Sequence, residues 1–147
     1  MDETSITQYI LDTFAKVEMT TAQGYTFFFY GSDHKLPFVT LATQDDEYDR
    51  ASNLDRDAVF RLNIGVSRET YQNLFGPQPA APGPSGVVGT GHDFSVLDQL
   101  MPHPVYAPQS WVCVLNPSAA TFQTLQPLLA EAYELAVRRQ TRRPAKE

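Results

Sequence analysis

The chain has 147 residues, 42% of them hydrophobic and 12% aromatic, which fits one globular domain (residues 1–147) whose core buries roughly two thirds of the unfolded surface. The net charge of -6 is unevenly spread: the last ten residues hold five basic residues and one acidic, and the rest holds six basic against sixteen acidic, a body that repels phosphate backbones and speaks against nucleic acid as a partner. No apolar run approaches the roughly 20 residues of a membrane span, the acidic opening MDETSITQYILDTF lacks the basic start of a signal peptide, and Cys113 alone excludes an internal disulfide, so a cytosolic protein is expected.

From Ser5 to Val17 the apolar residues Ile6, Tyr9, Ile10, Phe14 and Val17 recur at helical spacing behind a Ser5 N-cap, which predicts a one-faced helix. YTFFFY (Tyr25 to Tyr30) and PFVTLAT (Pro37 to Thr43) are β-branched and aromatic runs. They are separated by GSDHKL, whose Gly31, Ser32 and Asp33 are turn formers, and so predict a hairpin. QDDEYDRASNLDRD, with Asp45, Asp46, Glu47 and Asp49, lacks the glycine and closing glutamate of an EF-hand and is expected to be a solvated loop. VFRLNIGV alternates. It places Phe60, Leu62, Ile64 and Val66 on one face of a strand and Arg61, Asn63 and Gly65 on the outer face.

Ser67 caps a short helix, RETYQNLF, with Tyr71, Leu74 and Phe75 as its buried stripe and Gly76 at its end. Residues 76–91 follow, where Pro77, Pro79, Pro82 and Pro84 are interleaved with glycines. Neither ladder can cross them, and an irregular surface loop, disordered rather than folded as a lid, is expected. DFSVLDQL predicts two helical turns from an Asp93 cap. Pro102, Pro104 and Pro108 are expected to hold PHPVYAP extended, aiming His103 and Tyr106 beside the strand SWVCVLN. In that strand Cys113 shares the face of Trp111 and Leu115 and reads as a small core residue. The last helix, roughly Ser118 to Arg139, carries the stripe Phe122, Leu125, Leu129, Ala132, Tyr133 and Ala136. Pro127 is expected to kink or restart it, and 140–147 to form a basic flexible tail.

This element order, with SWVCVLN followed by LLAEAYELAV, resembles the small bacterial MmcQ/YjbR-like domains. The framework FFFY, PFVTLAT, FRLNIGVSRETYQNLFG and HPVYAPQSWVCVLNPS resembles more closely an uncharacterised bacterial family known as a domain of unknown function. The MmcQ/YjbR resemblance implies an α+β fold of the secretion-chaperone-like type, order α-β-β-β-α-β(β)-α: a curved antiparallel sheet of about five strands with helices on one face. It also implies DNA binding by fold analogy.

No Ser or Cys stands in a nucleophile signature: GPSG fails the G-x-S-x-G elbow at Val87. His92, His103 and Cys113 lie about ten residues apart, unlike zinc ligands, and GVVGTG lacks the lysine of a phosphate loop, so neither a metal nor a cofactor is expected. The residues pointing to a site are Arg61 and Asn63, since a cation at a sheet centre needs an anionic partner, with His103, Tyr106 and Trp111 on the proline-held rim. The expectation is a non-enzymatic module that binds a partner protein or small ligand on the sheet face. The alternatives are the DNA-binding module of the resemblance and a small hydrolase or isomerase using His103 with a carboxylate. Because YTFFFY and WVCVL are apolar on both faces, a two-fold homodimer covering the outer face of the sheet is also expected.

Overall fold

The structure, a computed structural model, describes residues 1–142. Helix α1 (Glu3–Thr13) begins earlier than expected. Asp2 is its cap, accepting from the Ser5 amide at 2.8 Å, and Ser5 lies inside the first turn. Phe14 ends it in an extended conformation and Lys16, at φ 62°, redirects the chain. Val17 therefore opens a strand, β1 (Val17–Ala22), that the helical spacing concealed. β2 (Tyr25–Tyr30) returns through Gln23 and Gly24 at φ 53° and 83°, the pair of positive values that a two-residue type I′ turn requires.

β2 and β3 (Val39–Ala42) form the expected hairpin, and β4 (Arg61–Gly65) pairs with β3 on one side and with β6 (Trp111–Leu115) on the other. A two-residue strand, β5 (Met101–Pro102), completes a six-stranded sheet of order β1-β2-β3-β4-β6-β5 with every pairing antiparallel. The fold is α+β in the expected element order, with six strands rather than about five.

Register sorts the side chains into two faces. Phe28, Val39, Leu41, Leu62, Ile64, Val112 and Val114 share one face and are buried. α1 and α3 (Ala119–Arg142) pack there: Phe14 stacks on Tyr133 with centroids 4.7 Å apart and meets Phe38 edge-on, while Ile6, Ile10, Leu125 and Leu129 are fully or almost fully buried. α2 (Arg68–Phe75), capped by Ser67, is tied to α3 by Glu131, whose carboxylate accepts from the Ser67 amide and the Thr70 hydroxyl, both at 2.6 Å. α3 runs through Pro127 without restarting and continues over residues 140–142; the rest of the expected 140–147 tail lies outside the described residues. No helix among the described residues is long and apolar enough to cross a membrane.

Three further expectations are corrected. DFSVLDQL is not helical. Asp93 accepts from the Ser95 amide and hydroxyl in a local turn, Leu97 bridges to Leu115, and Asp98, at φ 60°, donates its amide to the Leu115 carbonyl, so sheet pairing outcompetes the helix. PHPVYAP is extended only over β5. From His103 it turns back, with the Ala107 amide bonded to the His103 carbonyl and a short 3-10 helix over Ala107–Gln109. The acidic loop is not simply solvated: its Asp49 and Ser52, together with His103, fold over β4 and leave Arg61 0% and Asn63 1% exposed. Residues 76–91 are irregular, and contacts to other segments anchor them. The Val88 amide donates to the Pro104 carbonyl, and Gln78 to the Ser110 hydroxyl at 2.8 Å.

Candidate functional site

The second face of the sheet carries Tyr25 and Phe27 from β2, Thr40 from β3, Arg61, Asn63 and Gly65 from β4 and Trp111 from β6, because residues paired across antiparallel strands point the same way. At its centre sits a closed polar network. Arg61 donates through Nε to Asn63 Oδ1 at 2.7 Å, through Nη1 to Asp49 Oδ1 at 3.0 Å and Ser52 Oγ at 2.9 Å, and through Nη2 to Asp49 Oδ2 at 2.5 Å. Asn63 passes the chain on, its Nδ2 donating to Thr40 Oγ1 at 2.9 Å. The fork-to-fork pairing neutralises a guanidinium that burial alone would penalise heavily, and the contact with Asp49 holds its pKa above the usual value.

His103 packs against the network from the β5–β6 connection. Its Nδ1 accepts from the amides of Val105 (3.1 Å) and Tyr106 (3.0 Å), the bonds that shape the turn after Pro104. A neutral ring accepting at Nδ1 carries its proton on Nε2, so the 3.3 Å approach of Nε2 to Arg61 Nη2 sets one donor against another and is a packing contact rather than a hydrogen bond. Burial first, and the guanidinium second, hold this imidazole well below the ordinary histidine pKa, so it is neutral at pH 7.

Over this floor lies a cavity of about 630 Å³, a size that suits a small ligand. Asn63, Thr40, Asp46, Asp49 and His103 are among its polar lining, and Tyr25, Phe27, Trp111, Tyr106 and Tyr48 form its aromatic walls. Gly65, paired with Trp111, is what seats the indole: a Cβ there would stand 3.0 Å from two of its ring carbons. The Tyr25 hydroxyl donates to Asp46 Oδ2 at 2.9 Å, and burial, reinforced by Asp49, raises its pKa and keeps it a donor. A second cavity of about 520 Å³ lies near the N-terminus, lined by Asp2, Glu3, Arg56 and Asn116 among others, and holds none of the five residues that the sequence singled out.

Four of those five, Asn63, His103, Tyr106 and Trp111, therefore line one cavity, and Arg61 lies beneath it, fully buried. The family of unknown function DUF6194 matches residues 1–145. The chain belongs to this family. No curated protein and no solved structure matches the chain. In this DUF6194 member, sequence reasoning missed Asp49, Asp46, Ser52, Thr40 and Tyr25. The acidic loop was expected to be solvated, yet Asp49 is 7% exposed. The signal was there in the rule that a sheet-centre cation needs an anion: the densest acidic cluster upstream of Arg61 is Asp45 to Asp49. Cys113 is the buried core residue expected. Burial pushes its thiol pKa up to about 12, with Asp49 adding to the rise, which leaves no thiolate at neutral pH. Among the described residues, no group of three His, Cys, Asp or Glu side chains is placed to hold a metal.

Proposed function

We propose that this DUF6194 chain is a non-enzymatic binding protein whose small ligand occupies the cavity above the Arg61–Asp49 network. The observation that carries this reading is the combination, in one cavity of about 630 Å³, of aromatic walls with a polar floor whose hydrogen bonds are already made. Such a floor orients a ligand without having to reorganise. The chemistry of the same groups favours binding over turnover. A general base needs a free lone pair near its substrate, and the Nδ1 lone pair of His103 is occupied by two amides while Nε2 faces a cation. Its usual orienting partner, a carboxylate, is here committed to Arg61.

The distant likeness to MmcQ/YjbR-like domains supports DNA binding by fold analogy alone, and the acidic body opposes it. Trp111 is the one tryptophan of the chain and lines the cavity, so its emission reports occupancy directly. The test is a small-molecule screen read by Trp111 emission and by melting temperature. Ligands that move both in the wild type are expected to lose their effect on melting in Phe27→Ala and Gly65→Ala. Undiminished shifts in both variants would place the ligand elsewhere and end this reading.

A further inference from the structure

The charge lining the cavity goes further than its shape. Of the residues around it, none is lysine or arginine, and two, Asp46 and Asp49, are carboxylates. Asp49 lines the cavity but is neutralised from below, through both oxygens, by Arg61, which does not. Asp46 is different. Its Oδ1 accepts from the amides of Tyr48 and Asp49, both at 2.8 Å, and its Oδ2 from the Tyr25 hydroxyl. These bonds fix the carboxylate in place without cancelling its charge, and the ion pairs of the described residues, Arg61–Asp49 and His34–Glu18, do not include it. The cavity is thus left with one excess negative charge.

The walls agree with that sign. Tyr25 and Phe27 stack along β2 with centroids 5.7 Å apart, and Trp111 and Tyr106 stand on the β6 side. Aromatic faces are negative and attract a cation laid over them, most strongly where water is partly excluded. An anion would meet the same faces, two carboxylates and no basic side chain. The acidic body adds a field that draws cations toward the protein before contact. Resting on the reading of this cavity as a ligand site, we infer that its ligand is an organic cation: an ammonium head beside Asp46, joined to an apolar or aromatic body lying on Tyr25, Phe27 and Trp111.

One scaffold carrying three charges tests this: 2-phenylethylamine, 2-phenylethanol and phenylacetate, titrated at neutral pH against Trp111 emission. The amine is expected to bind about tenfold or more tighter than the alcohol, and phenylacetate weakest of the three. In Asp46→Asn, whose side-chain carbonyl can still accept from the two amides, the amine's advantage over the alcohol should collapse while the alcohol binds as before. Equal binding of amine and alcohol to the wild type, or an advantage that survives in Asp46→Asn, overturns the cation assignment and leaves the cavity as a site for uncharged ligands. If none of the three binds, the cavity fails as a ligand site and both readings go with it.

Discussion

A guanidinium at the centre of a sheet has to be neutralised where it stands, and Arg61 shows how the chain does so: Asp49 takes two of its donors, and Ser52 and Asn63 take others. Removing one member of such a pair strands the other. Arg61→Leu leaves the buried Asp49 carboxylate without its cation and is predicted to destabilise the fold by about 3–5 kcal/mol, whereas Arg61→Leu combined with Asp49→Leu should recover at least about 1 kcal/mol of that loss. Urea unfolding of the three proteins checks this, and strictly additive losses would show that the pair is not coupled. His103 makes a second prediction with a definite sign. Its folded-state pKa lies below the unfolded value of 6.5, so below about that pH the unfolded chain binds a proton that the folded chain refuses. The stability that depends on neutral His103 is therefore complete above pH 6.5 and lost as the pH falls, at up to about 1.4 kcal/mol per pH unit. Between neutral pH and about pH 5, His103→Gln is predicted to lose less stability than the wild type. An equal loss in both would assign the proton uptake to another group.

At the scale of elements, α3 tests how much a local rule yields to packing. Pro127 lies well inside the helix and is exposed, so it removes a backbone donor without filling the core, yet the helix continues because Phe122, Leu125, Leu129 and Ala132 bury the stripe on either side of it. Pro127→Ala is predicted to raise stability by about 1–3 kcal/mol in urea unfolding; no gain would mean that the proline is compensated by something besides the stripe. The same competition explains what the sequence shows and what it hides. β2, β3 and β6 are legible because aromatic and β-branched residues crowd them, β4 because apolar and polar residues alternate along it, and α2 because Ser67 and Gly76 bracket it. β1 was not legible: VEMTTA is an edge strand with mostly exposed side chains, and Val17 happens to continue the helical spacing of α1. The segment after Asp93 went the other way, its local helix signal losing to the bridge between Leu97 and Leu115. For the site, residue types on β4 and β6 were readable from alternation. Asp49 and Tyr25 were not, because their convergence on Arg61 and the cavity depends on how the acidic loop folds back over the sheet.

At the scale of the whole molecule, the question is what covers the apolar outer face that YTFFFY and WVCVL present. A second copy of the sheet was the expected cover, and the structure changes the premise of that expectation. The acidic loop and the β5–β6 connection close over β4, and Cys113 and Leu115 of β6 are fully buried within a single chain. What stays open on that face is the cavity and its rim, where Leu36, Tyr48 and Tyr106 are exposed at 59%, 78% and 54%. Three side chains around a mouth make a smaller patch than the continuous apolar face a stable two-fold dimer buries. The sheet edges offer no better route. β5 is two residues long and ends in Pro102, which has no amide to donate, and β1 presents Glu18, Thr20 and Thr21 to solvent. Sedimentation velocity at micromolar concentration is therefore predicted to return a single species near the 16.4 kDa chain mass. A dimer that persists on tenfold dilution would sink this prediction. Its dissociation by Leu36→Lys and Tyr106→Lys together would then locate the contact at the cavity mouth, where a partner copy would compete directly with ligand.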